Sequence, residues 1–141
     1  MNLYIESSAI LSWLFGESTA SEVISIIDKS EKIFTSVLSI VEVKRAIIRA
    51  EDQKLINISE KHKLLNLFET IKDEWLLFEI TKEIRDLASE KFPLEPVRSL
   101  DAIHLATVIK GLHISNDLKL LSFDDRIIKN ANLLGITLAN T

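Results

Sequence analysis

A chain of 141 residues that is 47% hydrophobic, with only three glycines and two prolines, is long enough for one domain with a buried core and leaves little room for long loops. Its 17 basic and 21 acidic residues give a net charge of −4, which argues against a protein that coats nucleic acid through a broad basic surface but not against an enzyme that grips a short length of backbone. The absence of cysteine excludes disulfides, thiolate zinc sites and cysteine nucleophiles, and fits a reducing compartment. No apolar run approaches the roughly 18–20 residues of a membrane span, and the amino terminus lacks a basic signal-type region, so a soluble cytoplasmic protein is expected.

Leu3-Tyr4-Ile5 reads as a short buried strand. Glu6, Ser7 and Ser8 interrupt it, and Ile10, Leu11, Trp13, Leu14 and Phe15 then recur at helical spacing, so a strand stops at a carboxylate and turns into a helix. Ser18-Thr19 and Glu22 predict a cap for a second helix with Val23, Ile26 and Ile27 on its apolar face. Lys32 to Ser36 is a second strand, running directly into a helix from about Val37 to Ala50 whose Ile40, Val43, Ile47 and Ala50 form one stripe. After the polar break Glu51-Asp52-Gln53, a helix from Ser59 carries Leu64, Leu65, Leu67, Phe68 and Ile71, and Trp75 to Ile80 is a third strand. The leucine-rich helix is also a candidate groove for a partner's helix.

Thr81 caps the next helix (Ile84, Leu87, Ala88), which stops before Pro93. Ser99 then caps a helix from Leu100 to Lys110, with Gly111 as its terminator. Leu118 to Phe123 is a fourth strand, Asp125 to Leu134 a helix ended by Gly135, and Ile136 to Ala139 a last strand. Strands alternating with helices on short links predict an α/β protein: a single-domain α/β/α sandwich over residues 1–141, with a mostly parallel sheet of four or five strands.

In such a sheet all strands present their carboxyl ends on one edge, where ligands bind. Glu6 follows the first strand, Glu42 lies in the helix entered from the second, Asp101 opens the helix leading to the fourth, and Asp124 follows the fourth. Each has a plainer explanation. Glu42 lies three residues after Ser39, as in a capping box, or pairs with Arg45, although a helix start at Ser36 places it nearly two turns in. Asp101 and Asp124-Asp125 suit first helical turns. The helix of Asp101, however, is apolar nearly all round, and a lone carboxylate buried there is costly unless paired or bound to a cation. Several acids on one edge, without cysteine or a matching histidine pattern, suit Mg²⁺ or Mn²⁺ rather than zinc.

Ile5-Glu6-Ser7-Ser8-Ala9-Ile10-Leu11, Ser39-Ile40-Val41-Glu42, Ser99-Leu100-Asp101-Ala102-Ile103-His104-Leu105-Ala106 and Ser122-Phe123-Asp124 resemble, in order and spacing, the motifs of PIN-domain ribonucleases, most of all the VapC-type toxins of bacterial toxin–antitoxin pairs. The resemblance covers essentially the whole chain, and the segment around Asp101 is its most specific part. It implies a metal-dependent endoribonuclease in which Glu6, Glu42, Asp101 and Asp124 hold Mg²⁺ or Mn²⁺ and Ser122 supports the site. It also implies a homodimer, an RNA substrate and inhibition by a VapB-like antitoxin. The family's first motif usually carries aspartate; Glu6 pushes its carboxylate further out by about one carbon–carbon bond, roughly 1.5 Å. A catalytically weak PIN-like domain that binds RNA or a protein partner is therefore the alternative, and Asp125 could replace or assist Asp124. A phosphohydrolase acting on small esters is a third possibility, disfavoured by the lack of a glycine-rich phosphate loop. Arg98, Arg126 and Lys129 are candidate RNA phosphate contacts or partners of nearby acids, and His104, on an apolar helix, is read as a packing residue.

Overall fold

The structure, a computed structural model, describes residues 1–140. In chain order it comprises β1 (Asn2–Ile5), α1 (Ser7–Leu14), α2 (Ala20–Asp28), β2 (Lys32–Ser36), α3 (Val37–Asp52), α4 (Ile58–Lys72), β3 (Leu76–Phe78), α5 (Lys82–Ala88), α6 (Ser99–Ile114), β4 (Leu118–Leu121) and α7 (Asp125–Leu133). The four strands form one all-parallel sheet in the order β3-β2-β1-β4. β1 is central: Leu3 pairs with Ile33 on one side and Lys119 on the other. A strand with neighbours on both sides and helices over both faces is expected to be an unbroken apolar run, as Leu3-Tyr4-Ile5 is.

The pleat sends alternate side chains to opposite faces. Leu3 and Ile5, with Leu121 of β4, pack against Ile10, Leu14, Val23, Val43, Ile47 and Phe68 from α1 to α4. Tyr4, with Leu118 and Leu120, packs against Leu105, Val108, Ile127 and Ala131 from α6 and α7. Two cores thus lie back to back across one sheet, and the α/β/α sandwich expected from the sequence is the observed fold. No helix among the described residues is long and apolar enough to cross a membrane.

Several local expectations give way to specific contacts. Thr19 does not cap α2 with its side chain; its hydroxyl bonds Ser12 Oγ instead. α4 begins earlier than Ser59 because Asn57 and Glu60 form a reciprocal capping box, with Glu60 N donating to Asn57 Oδ1 at 2.8 Å and Asn57 N to Glu60 Oε1 at 3.0 Å. Its Leu64, Leu65, Phe68 and Ile71 are taken up by the core, which leaves Leu67 as the exposed leucine of that cluster. Ser99 is the first helical residue of α6 rather than its cap, which is Arg98 without a side-chain bond.

Gly111 does not end α6, which runs on to Ile114. A Cβ at Gly111 would lie 2.6 Å from Leu118 Cδ2 and 3.4 Å from Phe78 Cζ, so the glycine is needed for close approach of the helix to the sheet. Gly135, with φ +76, does terminate a helix as expected. Beyond it, Ile136–Ala139 contributes a single bridge, Leu138 to Leu120, with Leu120 N donating to Thr137 O at 2.9 Å and Ala139 N to Leu120 O at 2.8 Å. The sheet therefore has four strands and not five.

Candidate active site

The strand order changes direction at β1: β2 and β3 follow on one side, β4 on the other. The crevice beyond the carboxyl ends at such a switch point is where open α/β sheets bind ligands. Glu6 sits there. It stops β1 and is the N-cap of α1, and its amide N donates to Leu121 O of β4 at 3.0 Å. Its buried carboxylate accepts four hydrogen bonds. Oε2 takes Ser7 Oγ at 2.7 Å and Ser8 N at 3.1 Å, and Oε1 takes Ser8 Oγ at 2.5 Å and Ser122 Oγ at 2.6 Å. A carboxylate has about four lone-pair sites in all, so every one is engaged. The extra methylene is what lets a residue at the end of β1 reach Ser122, beyond the end of β4.

Glu42 arrives from the other side of β1. Ser36 Oγ caps α3 by accepting from Leu38 N at 3.0 Å, so Glu42 stands in the second turn, and Ser39 is buried as the acceptor of Thr35 Oγ1 at 2.8 Å. Neither the capping box nor an Arg45 pair forms. Instead, Ser7 Oγ lies 3.1 Å from Glu42 Oε1, and His104 Nε2 lies 2.6 Å from the same oxygen. The far ring nitrogen of His104, Nδ1, lies 2.9 Å from the Tyr4 hydroxyl. Tyr4 holds its proton well above the ordinary phenol range, first because it is buried and then because Glu6 and Glu42 are near.

Asp101 is buried in the first turn of α6 and Asp124 is the N-cap of α7. Asp124 Oδ1 accepts from Arg126 N at 2.9 Å. Arg98 joins the two acids: its Nε donates to Asp101 Oδ2 at 3.3 Å and its Nη2 lies 4.0 Å from Asp124 Oδ2. The Asp101 carboxyl is held above the usual aspartate range, chiefly by burial and next by the charge of Asp124, with a smaller push from Glu6; Arg98 pulls the other way. Asp125, Arg126 and Lys129 are exposed on α7, and among the described residues neither basic side chain forms an ion pair.

The four acids thus reach one sheet edge as two pairs, Glu6 with Glu42 through Ser7 and Asp101 with Asp124 through Arg98. They do not form a closed metal cage: among the described residues no three His, Cys, Asp or Glu side chains are grouped to hold one ion. Their chemistry nevertheless fits a hard divalent cation. All donors are oxygens, Glu42 Oε2 and Asp101 Oδ1 accept no hydrogen bond from the described residues, and the one neighbouring cation, Arg98, is 65% exposed. Mg²⁺ ordinarily takes one or two carboxylates and completes its shell with water and substrate phosphate. A cleft lined by Trp13, Ile27, Lys32, Ile33 and Trp75 opens beside the amino ends of β2 and β3 and holds none of these acids.

Sequence reasoning missed His104 as part of this cluster. Its signal was the three-residue spacing from Asp101, which sets both on one face of α6, but the apolar run around it concealed the link to Glu42.

A family model described as PIN domain matches residues 3–133. No curated protein matches the chain in sequence. Among solved structures, FitAcB from Neisseria gonorrhoeae is 13% identical with a TM-score of 0.71, covering 96% of this chain and 95% of its own. VapC20 from Mycobacterium tuberculosis, a Sarcin-Ricin loop cleaving toxin, is 10% identical with a TM-score of 0.67, covering 96% of each chain. VapBC2 from Rickettsia felis, solved bound to a DNA fragment from its promoter, is 9% identical with a TM-score of 0.65, covering 98% of this chain and 97% of its own. At these identities the likeness is one of fold.

Proposed function

We propose, for a chain that belongs to the PIN-domain family, that it is a metal-dependent endoribonuclease and the toxin of a toxin–antitoxin pair. The observation that carries this reading is the convergence of Glu6, Glu42, Asp101 and Asp124 on the switch-point edge of the sheet, where burial and the charge of Asp124 hold the Asp101 carboxyl above the usual aspartate range. Glu42 Oε2, Asp101 Oδ1 and Asp124 Oδ2 would hold Mg²⁺ or Mn²⁺, and Glu6 would join them by exchanging a serine hydroxyl for the ion. A divalent ion there supplies an activated water and charge stabilisation for the leaving oxygen of a phosphodiester.

The chain's own side chains set the geometry around that chemistry. Ser122, clamped to Glu6, accepts from Asp124 N at 3.1 Å, and Ser8 Oγ accepts from Phe123 N at 2.9 Å. These contacts fix the turn that carries Asp124. Arg98, exposed at the rim, can turn from the acids to a substrate phosphate, and Arg126 and Lys129 extend the basic rim along α7. Asp125, exposed beside Asp124, is a reserve acid and not the first choice.

The solved neighbours include a toxin–antitoxin complex from Klebsiella pneumoniae and a toxin from Mycobacterium tuberculosis, which supports a VapB-like antitoxin as partner; a homodimer in the cytoplasm completes the proposal. The test is cleavage of RNA by the purified protein with Mg²⁺, Mn²⁺ or chelator. Asp101→Asn and Glu42→Gln should each lower cleavage by about a hundredfold or more, since displacement of catalytic groups by an ångström already has that effect. Activity retained in either variant, or in chelator, defeats the assignment.

One observation favours a second reading. The four donors on Glu6 leave it no free lone pair, which supports a slow or silent site in a domain that acts mainly by binding RNA or a partner.

A further inference from the structure

We propose that His104 is a positioning residue for Glu42 and that Tyr4 sets the tautomer in which it works. The inference rests on the reading above in one respect, that Glu42 is a metal ligand.

Tyr4 Oη and His104 Nδ1 are 2.9 Å apart, and both residues are almost wholly buried. Glu42 Oε1 is a carboxylate oxygen and can only accept, so His104 Nε2 carries a proton and donates to it at 2.6 Å. In that tautomer Nδ1 is bare and accepts from Tyr4 Oη, which holds the ring in it. A short bond from a buried imidazole N–H to a carboxylate is charge-assisted and directional. Ser7 Oγ approaches the same Oε1 at 3.1 Å. One oxygen of Glu42 is therefore committed to protein, and the other, Oε2, is left bare at the sheet edge.

Glu42 needs this restraint. It stands on an α-helix by a side chain with three rotatable bonds, and that side chain is 24% exposed at the sheet edge. Arg45, three residues further along α3, makes no ion pair with it. His104 supplies the restraint from the opposite helical layer. α6 packs in the core with Tyr4, Leu118 and Leu120, whereas α3 packs in the core with Leu3 and Ile5. The Tyr4–His104–Glu42 chain thus ties both layers together at the point where the ion would sit. Partners of this kind behind a ligand typically govern metal affinity by 10–100-fold.

The test is direct Mn²⁺ binding, by calorimetry and by paramagnetic resonance of free Mn²⁺, in wild type, His104→Gln, His104→Asn, Tyr4→Phe and Asp101→Asn, with thermal melting of each in chelator. Glutamine sets its amide nitrogen near the place of Nε2 and keeps a donor to Glu42; asparagine is too short and does not. Expected are Mn²⁺ binding within about threefold of wild type for His104→Gln and at least about tenfold weaker for His104→Asn, with similar losses in melting temperature for both. Tyr4→Phe touches no acid and keeps the ring's packing, and should weaken Mn²⁺ binding severalfold through the histidine alone. If His104→Asn and Tyr4→Phe bind Mn²⁺ like wild type while Asp101→Asn does not, the positioning role is wrong and the metal site stands. If His104→Gln is as weak as His104→Asn, the donor to Glu42 is not what matters and the role is again wrong. If wild type binds no Mn²⁺, or Asp101→Asn binds it as well as wild type, the metal reading falls and takes this inference with it.

Discussion

Shortening Glu6 to aspartate separates its two roles. Glu6→Asp withdraws the carboxylate by about 1.5 Å. Aspartate is as good an N-cap as any residue, so the bond from Ser8 N, at 3.1 Å now, survives in the variant. Ser122 Oγ, now 2.6 Å from Oε1, is left about 4 Å away, beyond hydrogen bonding. A buried hydrogen bond to a charged group contributes about 1.5–3 kcal/mol. For a chain of this size that corresponds to a fall in melting temperature of about 5–10 °C in chelator. The same change frees a lone pair at the sheet edge. If Mn²⁺ then binds tenfold more tightly, saturating ion stabilises the variant by about 1.4 kcal/mol more than it does wild type. Calorimetric melting across a Mn²⁺ titration, with RNA cleavage on the same samples, reads both effects. The expected pattern is lower stability without ion, a larger shift with ion and faster cleavage. A melting temperature in chelator unchanged within a degree would refute the clamp, and an unchanged ion-dependent shift would show that the serine hydroxyls never competed for Glu6.

Three further outcomes are expected. Ser122→Ala should reproduce the loss of stability of Glu6→Asp, and the double variant should lose little more, because both remove the same bond; additive losses would separate them. Asp101 binds its proton more readily folded than unfolded, so in chelator its ionisation opposes folding above its raised pKa, and that opposition fades as pH falls through that pKa and is absent below the ordinary aspartate range. Asp101→Asn should therefore melt higher than wild type at neutral pH, with the gap closing towards pH 4; a constant gap would remove titration as its cause. Gly111→Ala gains about 0.5–1 kcal/mol of helix propensity but overpacks a contact 2.6 Å from Leu118 Cδ2, where Leu118 is itself buried and overpacking typically costs about 1–3 kcal/mol. A net loss in melting temperature is expected, and a gain would mean Leu118 can turn aside.

What could be read from the sequence was whatever depends on neighbours along the chain. Lys32–Ser36 was legible to the residue because an apolar β-branched run ends at a serine that caps the next helix, and both signals are local. The addresses of the four acids were legible too, since parallel strands joined through helices must present their carboxyl ends together. Legibility ended where a residue's meaning is set by a distant partner. Glu6 gained its clamp from Ser122, 116 positions away. His104 looked like packing because its helix is apolar, and only the approach of α3 makes it a donor to Glu42. Gly111 carried the usual mark of a helix end, but Leu118 and Phe78 dictate its lack of a side chain. The fifth strand failed for the same reason: Ile136–Ala139 has the right composition, and its register allows one bridge to Leu120.

The strand order has a consequence for when such a site comes into being. Of the four strands β1 is made first, yet its neighbour β4 is made last. A nascent chain that has not reached Leu118 already holds Glu6, Glu42 and Asp101, but Ser122 and Asp124 do not yet exist, and α6 has no β4 to pack against. On the proposed function, an activity directed at RNA stays latent among the RNAs of the translation machinery until β4 has been made. It begins only when the closing strand slides in beside the opening one.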